Sequence, residues 1–480
     1  MGGSQRSSAF NLRPKGRSSL RKGSACALAC FAIAAGGCGS SSKTASGPKF
    51  QHLVSRPDLR PPSVTIEVAS EGAAPGYVFI APKKAVRQEG PLIVDDRGQV
   101  VWFHPLPLGV ADFRVQRYRG RPVLTWWQGH SKFGRGRGNY VILDSAYRRV
   151  ALLRAGNGLA GDEHEFTITP RNTALITFYE GRGDVIDSGF QELDIATGRV
   201  LFEWHALGRI ALAESYAKRR GKAPFDYFHI NSVELGGDGN LLISARNTHA
   251  VYEIDRRTGA VLWRLGGRRS TFDMGPGTTF AWQHDARWRS PTTISLFDDG
   301  ARPQVEKESR ALLLHVDLRR RRVTLVHAYT HPKHLLSTSQ GNMQVLPDRH
   351  VFVGWGAEPW FTELAADGKV VFDGHFIKGA DSYRAYKFEW NGHPPGRPTV
   401  VAHKSGDGRV TVYASWNGAT SVSRWQVHAG ATPAEMKPLR TVERAGFETA
   451  VELRTDAKFF SVGAIGPSGT EATSGTVASG

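Results

Sequence analysis

The sequence predicts an all-β protein: a six-bladed β-propeller followed by a small C-terminal β-sandwich. Three observations carry that expectation. One strand–turn–strand pattern recurs six times. The 54 Gly and 25 Pro separate many short apolar runs. A single stretch, 205–222, looks helical.

Each recurrence reads as a β-hairpin around an Asp turn. The first is Val94-Asp95-Asp96-Arg97-Gly98-Gln99-Val100. The next two are Leu143-Asp144 to Val150 and Leu193-Asp194 to Val200. Ile254-Asp255 to Val261, Val316-Asp317 to Val323, and Leu364 to Val370 around Asp367 complete the set. The valines that open the second strands are spaced by 50, 50, 61, 62 and 47 residues. A hairpin repeat of that length fits a four-stranded propeller blade. The longer third and fourth intervals imply insertions at 205–225 and 264–283.

The expected organisation follows in chain order. Residues 1–37 read as an export signal: a basic stretch with Arg6, Arg13, Lys15, Arg17, Arg21 and Lys22, then an apolar run from Ala25 to Ala35. The run is too short for a permanent membrane span. It ends at Cys38 and a Ser-rich tether, similar to a bacterial lipoprotein signal, which makes Cys38 the expected lipidation site. Plain secretion and an uncleaved anchor remain open. Residues 38–72 read as a flexible linker, 73–390 as the propeller, 391–465 as the sandwich and 466–480 as a disordered tail. The sandwich, with short strands such as Val410-Thr411-Val412-Tyr413 and Trp425-Gln426-Val427, resembles a fibronectin type III or immunoglobulin-like domain. The expected location is outside the cytoplasm, either lipid-anchored to the outer face of the cell membrane or secreted.

Composition narrows the chemistry. All three cysteines, Cys26, Cys30 and Cys38, lie near the N-terminus. Downstream of them no disulfide, thiolate nucleophile or Cys-ligated metal is available. The formal charge is +18, or 56 basic against 44 acidic residues once the signal is removed. That favours anionic partners. The one dense basic run, Arg319 to Arg322, falls between strands, so nucleic-acid binding is not expected. The P-loop, formylglycine-sulfatase and His-Glu-x-x-His patterns are absent.

Polar clusters interrupt the strand alternation about once per repeat: Asp162-Glu163-His164-Glu165, Asp226-Tyr227-Phe228-His229-Ile230-Asn231, Ser244-Ala245-Arg246-Asn247, Trp282-Gln283-His284-Asp285 and Gln340-Gly341-Asn342. In a propeller the segments entering the innermost strands converge on one axis. His164, His229, His284, Arg246, Asn231, Asn247 and Asn342 are therefore expected at one funnel. Trp282, Tyr227 and Trp355 could stack on an aryl ring or pack the core.

These motifs resemble the bacterial arylsulfate sulfotransferases, six-bladed propellers that need no nucleotide sulfate donor. His229-Ile230-Asn231-Ser232-Val233, Ser244 to Asn247 and Trp282-Gln283-His284 carry the resemblance, in motif order, over roughly residues 76–375. The chain lacks the disulfide of the enterobacterial type and has its extra sandwich at the other end. It is closer to the branch of actinobacteria and fungi. The resemblance implies that His284 is transiently sulfated. His229 and Arg246 would flank the sulfuryl group, His164 the donor and acceptor oxygen, and Asn231 would lie beside it. It implies ping-pong transfer from an aryl sulfate donor to a phenolic acceptor, without a cofactor. The chemistry agrees: imidazole is a nucleophile matched to ambient pH, and cationic donors belong around the sulfuryl oxygens. Two alternatives stay open from the residues alone. One is a non-catalytic propeller binding a ligand or protein partner in the same funnel. The other is a different propeller enzyme, a lyase or a quinone- or metal-dependent oxidoreductase, with the three histidines holding zinc or copper.

Overall fold

Aspartate turns organise the chain. The computed structural model describes residues 49–480. In each expected hairpin an Asp side chain accepts the amide hydrogens of its own turn. Asp95 Oδ1 takes Arg97 and Gln99, Asp144 takes Ala146 and Arg148, and Asp255 takes Arg257 and Thr258. Asp194, Asp317 and Asp367 do the same. Short acidic side chains satisfy turn amides that the strand ladder leaves unpaired.

Each turn joins the third and fourth strands of an antiparallel unit. The units are Gly109–Tyr118 to Arg149–Leu153, Gly161–Ile168 to Val200–His205, Ile230–Leu235 to Val261–Gly266, His284–Ser290 to Arg322–Tyr329, and Asn342–Val345 to Val370–Phe376. The first two are linked by one residue pair, Gly138 opposite Gly161. One further sheet joins two distant segments of the chain: Ala385–Phe388 pairs with Tyr77–Ile80, which continues to Leu92–Val94 and Val100–Phe103. The protein is thus all-β with multiple antiparallel sheets. The only helical turns among the described residues are three-residue 3-10 turns at Leu212–Glu214, Arg246–Thr248 and Pro433–Glu435.

Successive sheets bury apolar faces against each other. Leu242, Val251 and Leu265 pack with Ile294, Leu312 and Val323 of the next sheet. Val78, Ile80 and Leu92 of the sheet that Ala385–Phe388 joins pack with Phe352, Phe361 and Phe372. Fully burying one such side chain contributes about 1.5–3 kcal/mol. Beyond residue 398, two more antiparallel sheets share one core of Val410, Val412, Trp425, Val427, Val451 and Phe460. Asn417 ties them to the strand ending at Phe103, bonding its backbone N–H and C=O at 3.0 and 2.9 Å.

Three expectations need correction. Residues 49–72 are not a linker: Leu53 and Leu59 are buried, and Val64–Ala69 pairs with Val370–Phe376 as an edge strand. Residues 466–480 are not a disordered tail. Gly469–Thr473 and Val477–Ala478 pair with Phe459–Gly466. Small polar residues there make an exposed edge held by backbone bonds, which composition does not reveal. The stretch 205–222 holds one 3-10 turn rather than a helix. The expected signal and Cys38 lie outside the described residues.

Candidate active site

The first strands of two units carry bulges, and the site is built at them. Register shifts fall between Ile176 and Phe178, opposite Asp162 to Glu165, and between His284 and Arg287. A bulge re-aims side chains that strict alternation would bury. His229, Trp282 and Gln340 sit with positive φ of 59°, 60° and 71° just before inner strands. Such left-handed residues cost free energy and cluster at functional sites.

The three histidines share one device. Nδ1 of His229 bonds Asp226 and Nδ1 of His284 bonds Asp299, each at 2.7 Å, and Nδ1 of His164 bonds Asp162. A carboxylate on Nδ1 fixes the ring and leaves Nε2 for chemistry. The Gln340 amide donates toward Nε2 of His284 at 3.4 Å. That nitrogen therefore holds the lone pair, and Nδ1 holds the proton. The rings of His164 and His229 meet edge to face at 4.9 Å, and Tyr383 lies 5.6 Å from His164 and 6.5 Å from His284. Tyr179 packs on both His164 and His229.

Electrostatics separate the histidines. Burial alone would lower His164, but the Asp162 carboxylate outweighs it and raises the pKa above 6.5. Burial lowers His229 against the pull of Asp226. Burial, followed by Arg246 and the other two histidines, holds His284 well below 6.5. One imidazole therefore favours its proton and two favour the free base.

Arg246 completes the set. Its guanidinium lies 4.7 Å over Trp282 and bonds Asn247 Oδ1 and the Thr338 carbonyl, each at 3.1 Å. Asn247 is fixed in turn by the Asp226 carbonyl at 2.7 Å. Trp282 is held by Nε1 to the Pro303 carbonyl at 2.8 Å. A cavity of about 660 Å³ is lined by His229, Arg246, Asn247, Trp282 and Asp226. His164 and His284 are nearly fully buried and are not among the residues that line it. Gln283 anchors the His284 strand through three bonds from Nε2, to Ser244, Ala245 and Ala250.

Asn231 also reaches the site: Nδ2 donates to the Gln283 carbonyl, while buried Oδ1 has no partner among the described residues. Three other expected residues are structural. Asn342 exchanges two side-chain bonds with the backbone of Ala385, latching one sheet to the next. Trp355 is buried among Phe297, Val353 and Leu364. Tyr227 lies in the core with Phe228 and Tyr252, because the left-handed backbone at His229, with φ of 59°, breaks the alternation that would put residues 227 and 229 on one face. Its buried hydroxyl has no partner among the described residues. Tyr227→Phe is therefore expected to keep full turnover and to raise stability by about 1 kcal/mol in denaturant titration.

Sequence reading missed Asp299, Tyr383 and a central ion cluster. Arg114, Arg287 and Arg384 pair with Asp112, Glu165 and Asp285, all buried, from the strands Gly109–Tyr118, Gly161–Ile168 and His284–Ser290 and the segment leading into Ala385–Phe388. Arg384 also donates to the Asn231 carbonyl at 2.9 Å and stacks on Tyr383. The cluster thus supports the floor of the site. His164, His229 and His284 do not form a compact ligand group. Among the described residues such a group occurs at Asp348, His350 and Glu363, where Glu363 already pairs with Lys387.

Comparison with known proteins adds the family. A family model described as arylsulfotransferase (ASST) matches residues 114–377. No curated protein matches the chain. Among solved structures, the chain is similar to a Bacteroides caccae protein of unknown function, with 12% identity, a TM-score of 0.42, and coverage of 66% of this chain and 99% of that one. It is also similar to a Lactobacillus plantarum protein, with 12% identity, a TM-score of 0.37, and coverage of 79% and 99%. Virginiamycin B lyase from Staphylococcus aureus gives 9% identity, a TM-score of 0.33, and coverage of 74% and 96%. These three are too distant to bear on activity. The family match spans more than half of the chain and includes His164, His229, Arg246 and His284, so the chain belongs to the arylsulfotransferase family.

Proposed function

We propose that the chain transfers a sulfuryl group from a phenolic sulfate ester to a phenol, by a ping-pong mechanism through sulfo-His284 and without a nucleotide donor. The observation that carries this reading is the trio of His–Asp pairs around Arg246, with one imidazole tuned toward its protonated form and two toward the free base. Nε2 of His284 attacks sulfur, and the S–O bond to the aryl group breaks. The electron pair leaves on the phenolic oxygen, which takes a proton from His164. The acceptor phenol then returns a proton to His164 while its oxygen attacks the sulfur of sulfo-His284, breaking the N–S bond. Arg246 and the Gln340 amide meet the sulfuryl oxygens as charge builds on them.

The proposal extends to the frame. The six antiparallel units form six propeller blades, closed where Ala385–Phe388 joins Tyr77–Ile80, and the two C-terminal sheets form a sandwich. The apolar cluster between the Tyr77–Ile80 sheet and the Phe352 sheet supports closure. Export and lipid attachment at Cys38 belong to the same reading, on sequence grounds alone.

Two measurements test the reaction. Release of 4-nitrophenolate from 4-nitrophenyl sulfate is expected to depend on added phenol. Release independent of phenol would mean hydrolysis, and no release would contradict the reading. The pH profile is expected to be a bell. The acid limb, below 6.5, reports protonation of His284, whose pKa is lowered. The alkaline limb, above 6.5, reports loss of the His164 proton, whose pKa is raised. A profile rising monotonically with pH would contradict His164 as the acid.

A further inference from the structure

The cavity above Arg246 carries more positive charge than one sulfate monoester needs. Arg135, Lys218, Arg220, Arg246 and Arg302 line it, against one carboxylate, Asp226. Five cations to one anion far exceeds the chain's own 62 to 44. Asp226 is already engaged by His229 at 2.7 Å and Arg135 at 3.6 Å. Arg246 faces the sulfuryl group. That leaves Lys218, Arg220 and Arg302, which are exposed and have no carboxylate within 4.0 Å among the described residues. The segment 218–220 sorts its charges: Arg219 turns away to pair with Asp184 at 2.8 Å and stacks on Phe225, while its two neighbours face the cavity unpaired. Like charges held together cost free energy until an anion joins them.

The remaining lining is aromatic and apolar. Phe133, at the tip of the hairpin between Arg121–Lys132 and Arg135–Leu143, is 79% exposed on the cavity wall. Phe225, Pro224 and Pro303 complete that surface. A large exposed ring beside unpaired cations fits a flat aryl group with a charge at its far end.

We propose that this cavity takes aryl substrates bearing a second anionic group, a carboxylate or its equivalent, on the ring side remote from the transferred sulfuryl group, with Lys218, Arg220 and Arg302 as its receptors. This rests on the sulfotransferase reading above for the orientation of the sulfuryl end. A charge-assisted contact of this kind corresponds to roughly 10- to 100-fold in affinity.

The test uses inert sulfonates, whose sulfur is bonded to carbon and is not transferred. Calorimetry on the full chain at low ionic strength compares 4-sulfobenzoate with its methyl ester. The dianion is expected to bind at least about 10-fold more tightly. The Lys218→Gln, Arg220→Gln, Arg302→Gln triple variant is expected to bring the two within about twofold, with the affinity for the ester unchanged. Equal affinities in the wild type, binding of neither compound, or an advantage that survives the triple variant would overturn the proposal. Turnover of 4-nitrophenyl sulfate separates the two readings. Turnover without dianion preference defeats the second-anion proposal alone. Dianion preference without turnover defeats the sulfotransferase reading and leaves an anionic-ring site.

Discussion

His284→Asn is expected to lower phenol-dependent turnover of 4-nitrophenyl sulfate by about 10⁴-fold or more, with the fold intact. Losses of that order follow removal of a covalent nucleophile, because the remaining groups act only on an intermediate that no longer forms. Asn keeps a polar group near Asp299 and fits the space of the ring, so the core around residue 284 is preserved. His229→Asn should cost less, because His229 stabilises the transferred group without bonding to it. Activity of His284→Asn within tenfold of the wild type would remove the residue from the covalent role. Unfolding of the variant is checked by its near-UV circular dichroism, so that loss of structure is not taken for loss of chemistry.

The second large effect concerns stability. Glu165→Gln is expected to destabilise the protein by about 3–5 kcal/mol, read as a lower urea midpoint at pH 7. The carboxylate accepts from Arg114 at 2.7 Å and Arg287 at 2.5 Å, and Arg384 approaches at 3.4 Å. Removing its charge leaves three buried guanidinium groups facing two carboxylates. Burial alone would raise Glu165, but Arg287, Arg384 and Arg114 outweigh it and hold the pKa below 4.5. A depressed carboxyl contributes stability that is complete above its unfolded pKa and is lost as pH falls through the folded value. The difference between wild type and variant should therefore be full above pH 4.5 and narrow under more acid conditions. A change below about 1 kcal/mol at pH 7 would show that the cluster is not under the tension its burial implies.

The outer hairpins were legible because their physics is local. Asp194 and Asp255 bond amides three residues away, so a short window of sequence contains both partners. The histidine clusters were legible because polar runs such as Asp162 to Glu165 break a strand pattern that burial would keep apolar. Asp299 gave no such signal. It follows Asp298 at the end of an ordinary strand and meets His284 only through the pairing of that strand with its neighbour. Tyr383 and Arg384 were invisible for the same reason at longer range. Arg384 bonds Asp112 across 272 residues, a contact set by how the sheets converge. Tyr227 was misread because it shares a motif with His229, while the left-handed backbone at His229 breaks the alternation that would place both on one face. Residues 469–473 were missed because an edge strand can be held by backbone bonds, with exposed polar side chains, whereas residues 64–69 carry Val64 and Ile66 packed on the core, an apolar pattern that the linker reading passed over.

The central claim is that the sulfuryl group rests on His284 between two half-reactions. The most direct measurement incubates the protein with 4-nitrophenyl sulfate without acceptor, quenches at alkaline pH, and maps the modified peptide by mass spectrometry. The account predicts a burst of one 4-nitrophenolate per chain and an acid-labile sulfuryl adduct on His284, discharged when phenol is added. An adduct on His164 or His229, or transfer to phenol with no burst and no adduct, would contradict it.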